Sequence, residues 1–131
     1  TQLKTAAASA YKMAGISEPR QEIDVAEICE PYAFQELLWC EELGFCAQGQ
    51  GGKLIDSGVT QITGALPVNP SGGVLAMNPY VARGLYRVAE AALQIKGKAG
   101  EHQLDKKVNT ALAHSTYGFC GQWQGVVILG S

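Results

Sequence analysis

The chain carries little charge and no excess of either sign. Lysine and arginine total 10, aspartate and glutamate 12, in 131 residues, for a net charge of −2. A nucleic-acid-binding module needs a basic stripe or patch, and this balance supplies none. No apolar run is longer than the four residues Val126 to Leu129, far below the ~20 that cross a bilayer, so no membrane span is expected. A charged-then-apolar leader is missing from the first residues, so no secretory signal is expected either. Cysteine is sparse: Cys29, Cys40, Cys46 and Cys120 contain no CxxC pair, and only 2 histidines accompany them. That spacing excludes a compact zinc site, and the density is too low for a disulfide framework. Free thiols in a reducing cytoplasm are the expectation. The P-loop spacing and GxSxG are absent, and Gly49-Gln50-Gly51-Gly52 is too generic to be a dinucleotide loop.

What the chain does have is apolar material. Hydrophobic residues make up 47% and charged residues 17%, enough for one globular domain over residues 1–131 and unlike a disordered chain. Leu3, Ala6, Ala7, Ala10 and Met13 or Ala14 recur at helical spacing and predict a helix over 2–13 with Gly15 as its stop. Ser17-Glu18-Pro19 predicts a turn, and Ile23 to Cys29 a short strand ended by Pro31. A second helix is expected over Ala33 to Leu43, stopped by Gly44. Residues 47 to 73 hold seven glycines and two prolines and read as the loosest part, suited either to close approach to a ligand or to an ordinary surface excursion. Asn78-Pro79 predicts the start of the strongest helix, running to about Ile95, with Asn78 as N-cap. Its broad apolar face, from Val81 to Ile95, calls for cover on more than one side. Strands over Val108 to Ala113 and Gln124 to Leu129 complete an α/β order with too few strands to bury that helix alone, so a further sheet or subunit is implied. His102, in a polar stretch, is expected to face solvent.

Several segments together carry a family resemblance. The stretch IDVAEICEPYAFQELLWCEELGFC, the pair GQGGKLIDSGVT and LPVNPSGGVLA, then AEAALQIKGKAGEHQLD and ALAHSTYGFCGQWQGVVIL, resemble the C-terminal part of thiolases, specifically the sterol-carrier-protein and archaeal branch. The match runs from about Tyr11 to Leu129. It implies an α/β fold, the C-terminal half of a layered α-β-α-β-α thiolase fold, with a mixed sheet and a central buried helix. It also implies an acyl-CoA carbon–carbon bond enzyme, a thiolase-like acyltransferase or a retro-aldolase. The substrate would be a coenzyme A thioester, with no separate cofactor. The nucleophilic cysteine of thiolases lies in their N-terminal half, which nothing here matches. The resemblance therefore implies another thiolase-fold half or subunit as partner. A small zinc-ribbon/OB-fold acyl-CoA-binding protein is a further partner known in this branch. A non-catalytic scaffold or acyl-CoA-binding subunit is the other reading.

The departures from the family pattern mark the candidate site. Thiolases have a Gly-His-Pro turn where this chain reads Met77-Asn78-Pro79-Tyr80. Asn78 can donate a hydrogen bond to a carbonyl but cannot accept a proton at neutral pH, and it serves equally as a helix cap. Lipid-transfer retro-aldolases of the superfamily look similar around Asn-Pro and use a tyrosine base, which makes Tyr80 the candidate acid/base; a core aromatic is the alternative. At Cys29-Glu30-Pro31-Tyr32 the family's catalytic box is altered, leaving Cys29 either a reactive thiol or a buried inert one. His114 matches the family's histidine at the end of the penultimate strand and is either a pocket residue or structural. Gly72, Gly73 and Gly118 are expected to give a substrate backbone access.

Overall fold

The computed structural model describes residues 1–77, 79–118 and 121–131. Helix α1, Gln2–Ala14, buries Leu3, Ala7 and Tyr11 along one face; Thr1 caps its start and left-handed Gly15 ends it. Pro19 opens a single helical turn, α2 (Pro19–Glu22), where the sequence suggested a plain turn. Strand β1, Val25–Glu27, is fully buried and stops two residues short of the expected Cys29. Helix α3 (Ala33–Glu42) follows as expected, then α4 (Gly51–Asp56), α5 (Gly73–Ala76), a 3-10 turn (Tyr80–Ala82), α6 (Arg83–Ile95) and a second 3-10 turn (Gly100–His102). Strands β2 (Thr110–Tyr117) and β3 (Trp123–Gly130) close the chain.

Three expectations change. The 47–73 stretch is not irregular throughout, because Gly51 serves close packing: a Cβ there would lie 2.7 Å from the Leu37 carbonyl oxygen, so glycine is what lets α4 sit against α3. The long helix does not run unbroken from Pro79. Tyr80 has φ +55, which no α-helix start allows, so the regular helix begins at Arg83 with Ala82 as its cap residue. Asn78, the expected cap, lies outside the described residues. His102 is half-buried, its Nε2 2.8 Å from Glu90 Oε2, and so pins the second 3-10 turn onto α6 rather than facing solvent.

The sheet is mixed. β1 pairs parallel to β2 through Val25–Ala111, Ala26–Leu112 and Glu27–Ala113, and β2 pairs antiparallel to β3 from Thr110–Gly130 to Tyr117–Trp123. A lone parallel bridge, Ala26 to Val68, extends the β1 edge. Strand alternation divides the core. Ala26 and Leu112 face α1 and α3, joining Leu3, Ala7, Cys40, Leu43 and Phe45. Val25, Ala111 and Ala113 face α6 and meet Ala91, Val88 and Ile95. Gly84 allows α6 to approach β2, since a Cβ there would fall 2.4 Å from Ser115 Oγ. The sheet covers α6 on one side. On the other, Leu85 is 71% exposed, as is Val81 at 77% in the turn before the helix, so among the described residues nothing covers this second apolar side.

Candidate functional site

The C-terminal end of β1 delivers Cys29 beside β2. Its N–H donates to His114 Nδ1 at 3.3 Å, and its carbonyl accepts the Trp39 indole N–H at 2.9 Å. Because a backbone N–H can only donate, Nδ1 is the acceptor and the ring proton sits on Nε2. Nε2 then donates to Gln124 Oε1 at 2.7 Å, and Gln124 Nε2 donates onward to Thr116 Oγ1 and the Gly121 carbonyl. Both imidazole nitrogens are thus committed inside the protein. Trp39 packs edge-on against the ring, and burial pulls the His114 pKa down to about 4. His114 is 1% exposed and stays a neutral internal link between β1 and β3.

Cys29 is equally enclosed. Burial pushes its thiol above the ordinary range, with the Arg83 and Arg87 charges pulling back only in part. Cys40 is also fully buried, and Cys46 is the one half-buried thiol of these three. An alkylating reagent added to the folded protein is expected to modify Cys46 well ahead of Cys29 and Cys40; mass mapping that finds Cys29 labelled first would contradict this arrangement.

The open part of the site lies just outward. A cleft of about 360 Å³ is lined by Tyr80, Arg83, Tyr117, Gly118, Gln122 and Trp123. A second, of about 290 Å³, shares Arg83, Tyr117 and Gly118 and reaches Pro31, Tyr32 and Phe34. The walls are aromatic: Tyr117 stacks on Trp123 with ring centroids 5.8 Å apart, and Tyr32 on Phe34 at 5.9 Å. The Arg83 guanidinium lies 5.9 Å from the Tyr80 ring centroid, and its Nε is buried without a hydrogen-bond partner among the described residues. Tyr80 is 67% exposed, and its left-handed backbone is a conformation that costs a tyrosine ~1–3 kcal/mol.

A buried polar cluster lies between β1 and α6. Glu27, at the end of β1, pairs with Arg87 of α6 at 2.8 Å and accepts from Ser71 twice, from its N–H at 3.1 Å and its hydroxyl at 2.6 Å. Burial pushes the Glu27 carboxyl up, against the Ser71 donors and the Arg87 charge. Glu30 is buried three residues on. Its Oε1 accepts the Leu75 N–H at 3.3 Å, while its Oε2 has no partner among the described residues. Gly73 is required here, since a Cβ on it would meet Glu30 Oε1 at 2.1 Å. The N–H groups of Gly72 and Gly73 donate within the turn, to the Asn69 carbonyl and Ser71 Oγ, so these glycines serve packing and turn geometry in the structure described. Gly118, at φ +97, lines both clefts.

Burial raises the Glu30 pKa above its ordinary value. A carboxyl raised on folding adds stability that is full at pH below the ordinary carboxylate range and is lost as pH rises through its folded value. Glu30→Gln carries no charge, so the melting temperature of the variant relative to wild type is expected to climb as pH rises above the ordinary carboxylate range. A difference that stays flat there would place the ionised carboxylate at no disadvantage.

The structure places Tyr80 and Gly118 on one cleft, whereas Cys29 and His114, expected to line the pocket, meet in a buried contact. The sequence reading missed Arg83, Tyr117 and Trp123, whose only signal was an aromatic density around a glycine turn, and it missed Glu27, Glu30 and Arg87 altogether. Among the described residues no group of three histidine, cysteine or acidic side chains could hold a metal, and no helix is long and apolar enough to cross a membrane.

Comparison with known proteins fits this geometry. A family model described as thiolase C-terminal domain-like matches residues 1–131. Acetyl-CoA acetyltransferase of Methanothermobacter thermautotrophicus is 39% identical over 101 residues, covering 76% of this chain and 26% of that protein. Sterol carrier protein 2 of Rattus norvegicus is 37% identical over 113 residues, 86% of this chain and 20% of that one. A solved structure titled Ltp2-ChsH2(DUF35) aldolase superposes with a TM-score of 0.81 at 26% identity, covering 98% of this chain and 31% of its own. The chain thus spans about a fifth to a third of the proteins it resembles, and each of them carries a large part with no counterpart here. With a matching family model over its whole length, a mixed sheet flanked by helices and relatives above 35% identity, the chain belongs to the thiolase C-terminal domain family.

Proposed function

We propose that this chain is the C-terminal portion of an acyl-CoA carbon–carbon bond enzyme, and that it contributes the acid/base group of a retro-aldol cleavage of a 3-hydroxyacyl-CoA. The observation that carries this reading is Tyr80, held exposed in a disfavoured backbone conformation at the mouth of an aromatic cleft with Arg83 beside its ring. In the cleavage, Tyr80 takes the proton of the 3-hydroxyl while the C2–C3 bond breaks. A carbonyl forms at C3, the bonding electron pair passes to C2 and the thioester carbonyl as an enolate, and a proton returned to C2 completes the acyl-CoA product. Arg83, the one charged residue among the described residues lining either cleft, supplies positive charge where the enolate develops. Asn78, just before the described turn, is the proposed donor to the thioester oxygen. Tyr117 sets a second hydroxyl in the same cleft. Cys29 and His114 support the site from behind, because both are sealed from the cleft and His114 has no nitrogen to spare.

The reaction needs the rest of the fold. We propose that a thiolase-fold half covers the open side of α6, and that a small zinc-ribbon/OB-fold protein completes acyl-CoA binding, in keeping with the likeness to the Ltp2-ChsH2(DUF35) aldolase. The free thiols of Cys29, Cys40 and Cys46 suit a reducing, cytoplasmic setting.

The test is to give the complete enzyme a 3-hydroxyacyl-CoA and a 3-oxoacyl-CoA with free coenzyme A. Aldol cleavage of the first supports this reading, and thiolysis of the second moves the chemistry to thiolase type. The second reading, a scaffold that only holds an acyl-CoA, draws on the same enclosure of Cys29 and His114. Binding of acyl-CoA without cleavage of either substrate would favour it.

A further inference from the structure

The described aromatic side chains fall into two groups. Tyr11, Trp39 and Phe45 pack into the core, whereas Tyr32, Phe34, Tyr80, Tyr86, Tyr117 and Trp123 are exposed. All of the exposed group except Tyr86 line the two adjoining clefts, although they come from the start of α3, the first 3-10 turn and the facing ends of β2 and β3. A single exposed apolar residue is ordinary, but a cluster of them marks a surface that binds something. The rings are also ordered. Tyr117 and Trp123 face each other across β2 and β3 with their planes 20° apart, and the Tyr32 and Phe34 planes are 11° apart. Cross-strand pairing alone accounts for the first contact. It does not account for a second near-parallel pair from another element on the same opening, nor for four residues that each stay half or more exposed. Arg83, Tyr117 and Gly118 belong to both clefts, so the two openings adjoin, and no acidic residue is among the described residues lining either.

Building on the reading of these clefts as the acyl-CoA site, we propose that they form the acyl pocket and select an acyl chain that carries an aromatic ring, held by the Tyr117–Trp123 and Tyr32–Phe34 pairs. A linear chain or a saturated ring of equal carbon number buries similar apolar area and gains a similar hydrophobic transfer. Only an aromatic ring adds offset-stacked or edge-on contacts between ring quadrupoles, at centroid separations like those already present within the two pairs. Selection therefore lies in the flatness and charge distribution of the ring, not in its bulk.

The complete enzyme is titrated by calorimetry with 3-phenylpropanoyl-CoA, 3-cyclohexylpropanoyl-CoA and nonanoyl-CoA, which have equal acyl carbon number, and with free coenzyme A. None carries the 3-hydroxyl or 3-oxo group that cleavage requires, so binding is read without turnover. The phenyl ligand is expected to bind about 3- to 10-fold more tightly than the cyclohexyl and linear ones, with free coenzyme A weakest. Trp123→Leu and Phe34→Leu each keep an apolar side chain at an exposed position, so folding should survive. At least one of them is expected to bring the phenyl-to-cyclohexyl ratio below about twofold. Equal affinities for the three acyl ligands overturn the proposal, as does free coenzyme A binding as tightly as the phenyl ligand, the result of adenine occupying the clefts. A ratio that neither variant changes overturns it too, because the ring then sits elsewhere. Cleavage of a 3-hydroxyacyl-CoA judges the reaction separately: cleavage without a phenyl preference keeps the reaction and removes this pocket, and a phenyl preference without cleavage does the reverse.

Discussion

Replacing Tyr80 by phenylalanine in the complete enzyme is expected to lower carbon–carbon cleavage by about 10²- to 10⁴-fold, the usual contribution of a general acid or base. The change removes one hydroxyl and keeps the ring. Tyr80 is 67% exposed, so little packing depends on that oxygen, and the Arg83 guanidinium can still lie over the aromatic face. Folding and assembly should therefore survive, and a loss of turnover would report on chemistry. A drop of less than about threefold, far below that range, would remove Tyr80 from the mechanism.

Arg87→Met is expected to act on stability instead. Arg87 and Glu27 are buried together, and taking away Arg87 leaves Glu27 with the Ser71 donors but no counter-charge, at a cost of ~3–5 kcal/mol. Denaturant unfolding of the complete protein measures it. The double replacement Glu27→Gln with Arg87→Met leaves no buried charge and should recover most of the loss, because exchanging a whole buried pair for neutral groups is often close to neutral. A single variant within about 1 kcal/mol of wild type would mean that water or a rearranged side chain reaches Glu27.

The parts of this structure that sequence made legible are those governed by local rules. The four-residue spacing of Leu3, Ala7 and Tyr11, the stop at Gly15 and the apolar strands around Leu112 and Val126 follow from chain periodicity. So does the open second side of α6, announced by a helix too apolar for three strands to cover. What sequence could not give depends on distant contacts. Gly51 reads as a loop residue until the Leu37 carbonyl is placed 2.7 Å from its missing Cβ. Glu27 reads as a polar interruption of a strand until Arg87, 60 residues away, is found against it. His114 looked available at a strand end, yet Gln124 on the neighbouring strand and the Cys29 N–H occupy its two nitrogens. The interrupted start of the long helix was hidden for a related reason. Asn-Pro is a good local signal for a helix cap, but Tyr80 takes a left-handed backbone and the regular helix starts only at Arg83.

The internal commitment of His114 has a consequence for how this protein senses its surroundings. A histidine free in solution changes charge near neutrality, and it makes many proteins responsive to mild acidification. Here that response is silenced. With a pKa pulled down to about 4, the ring carries no charge across the range a cell experiences, and the field it sends into the clefts is constant. Any acid or alkaline limb in the behaviour of the site near neutrality must then come from a group other than this imidazole.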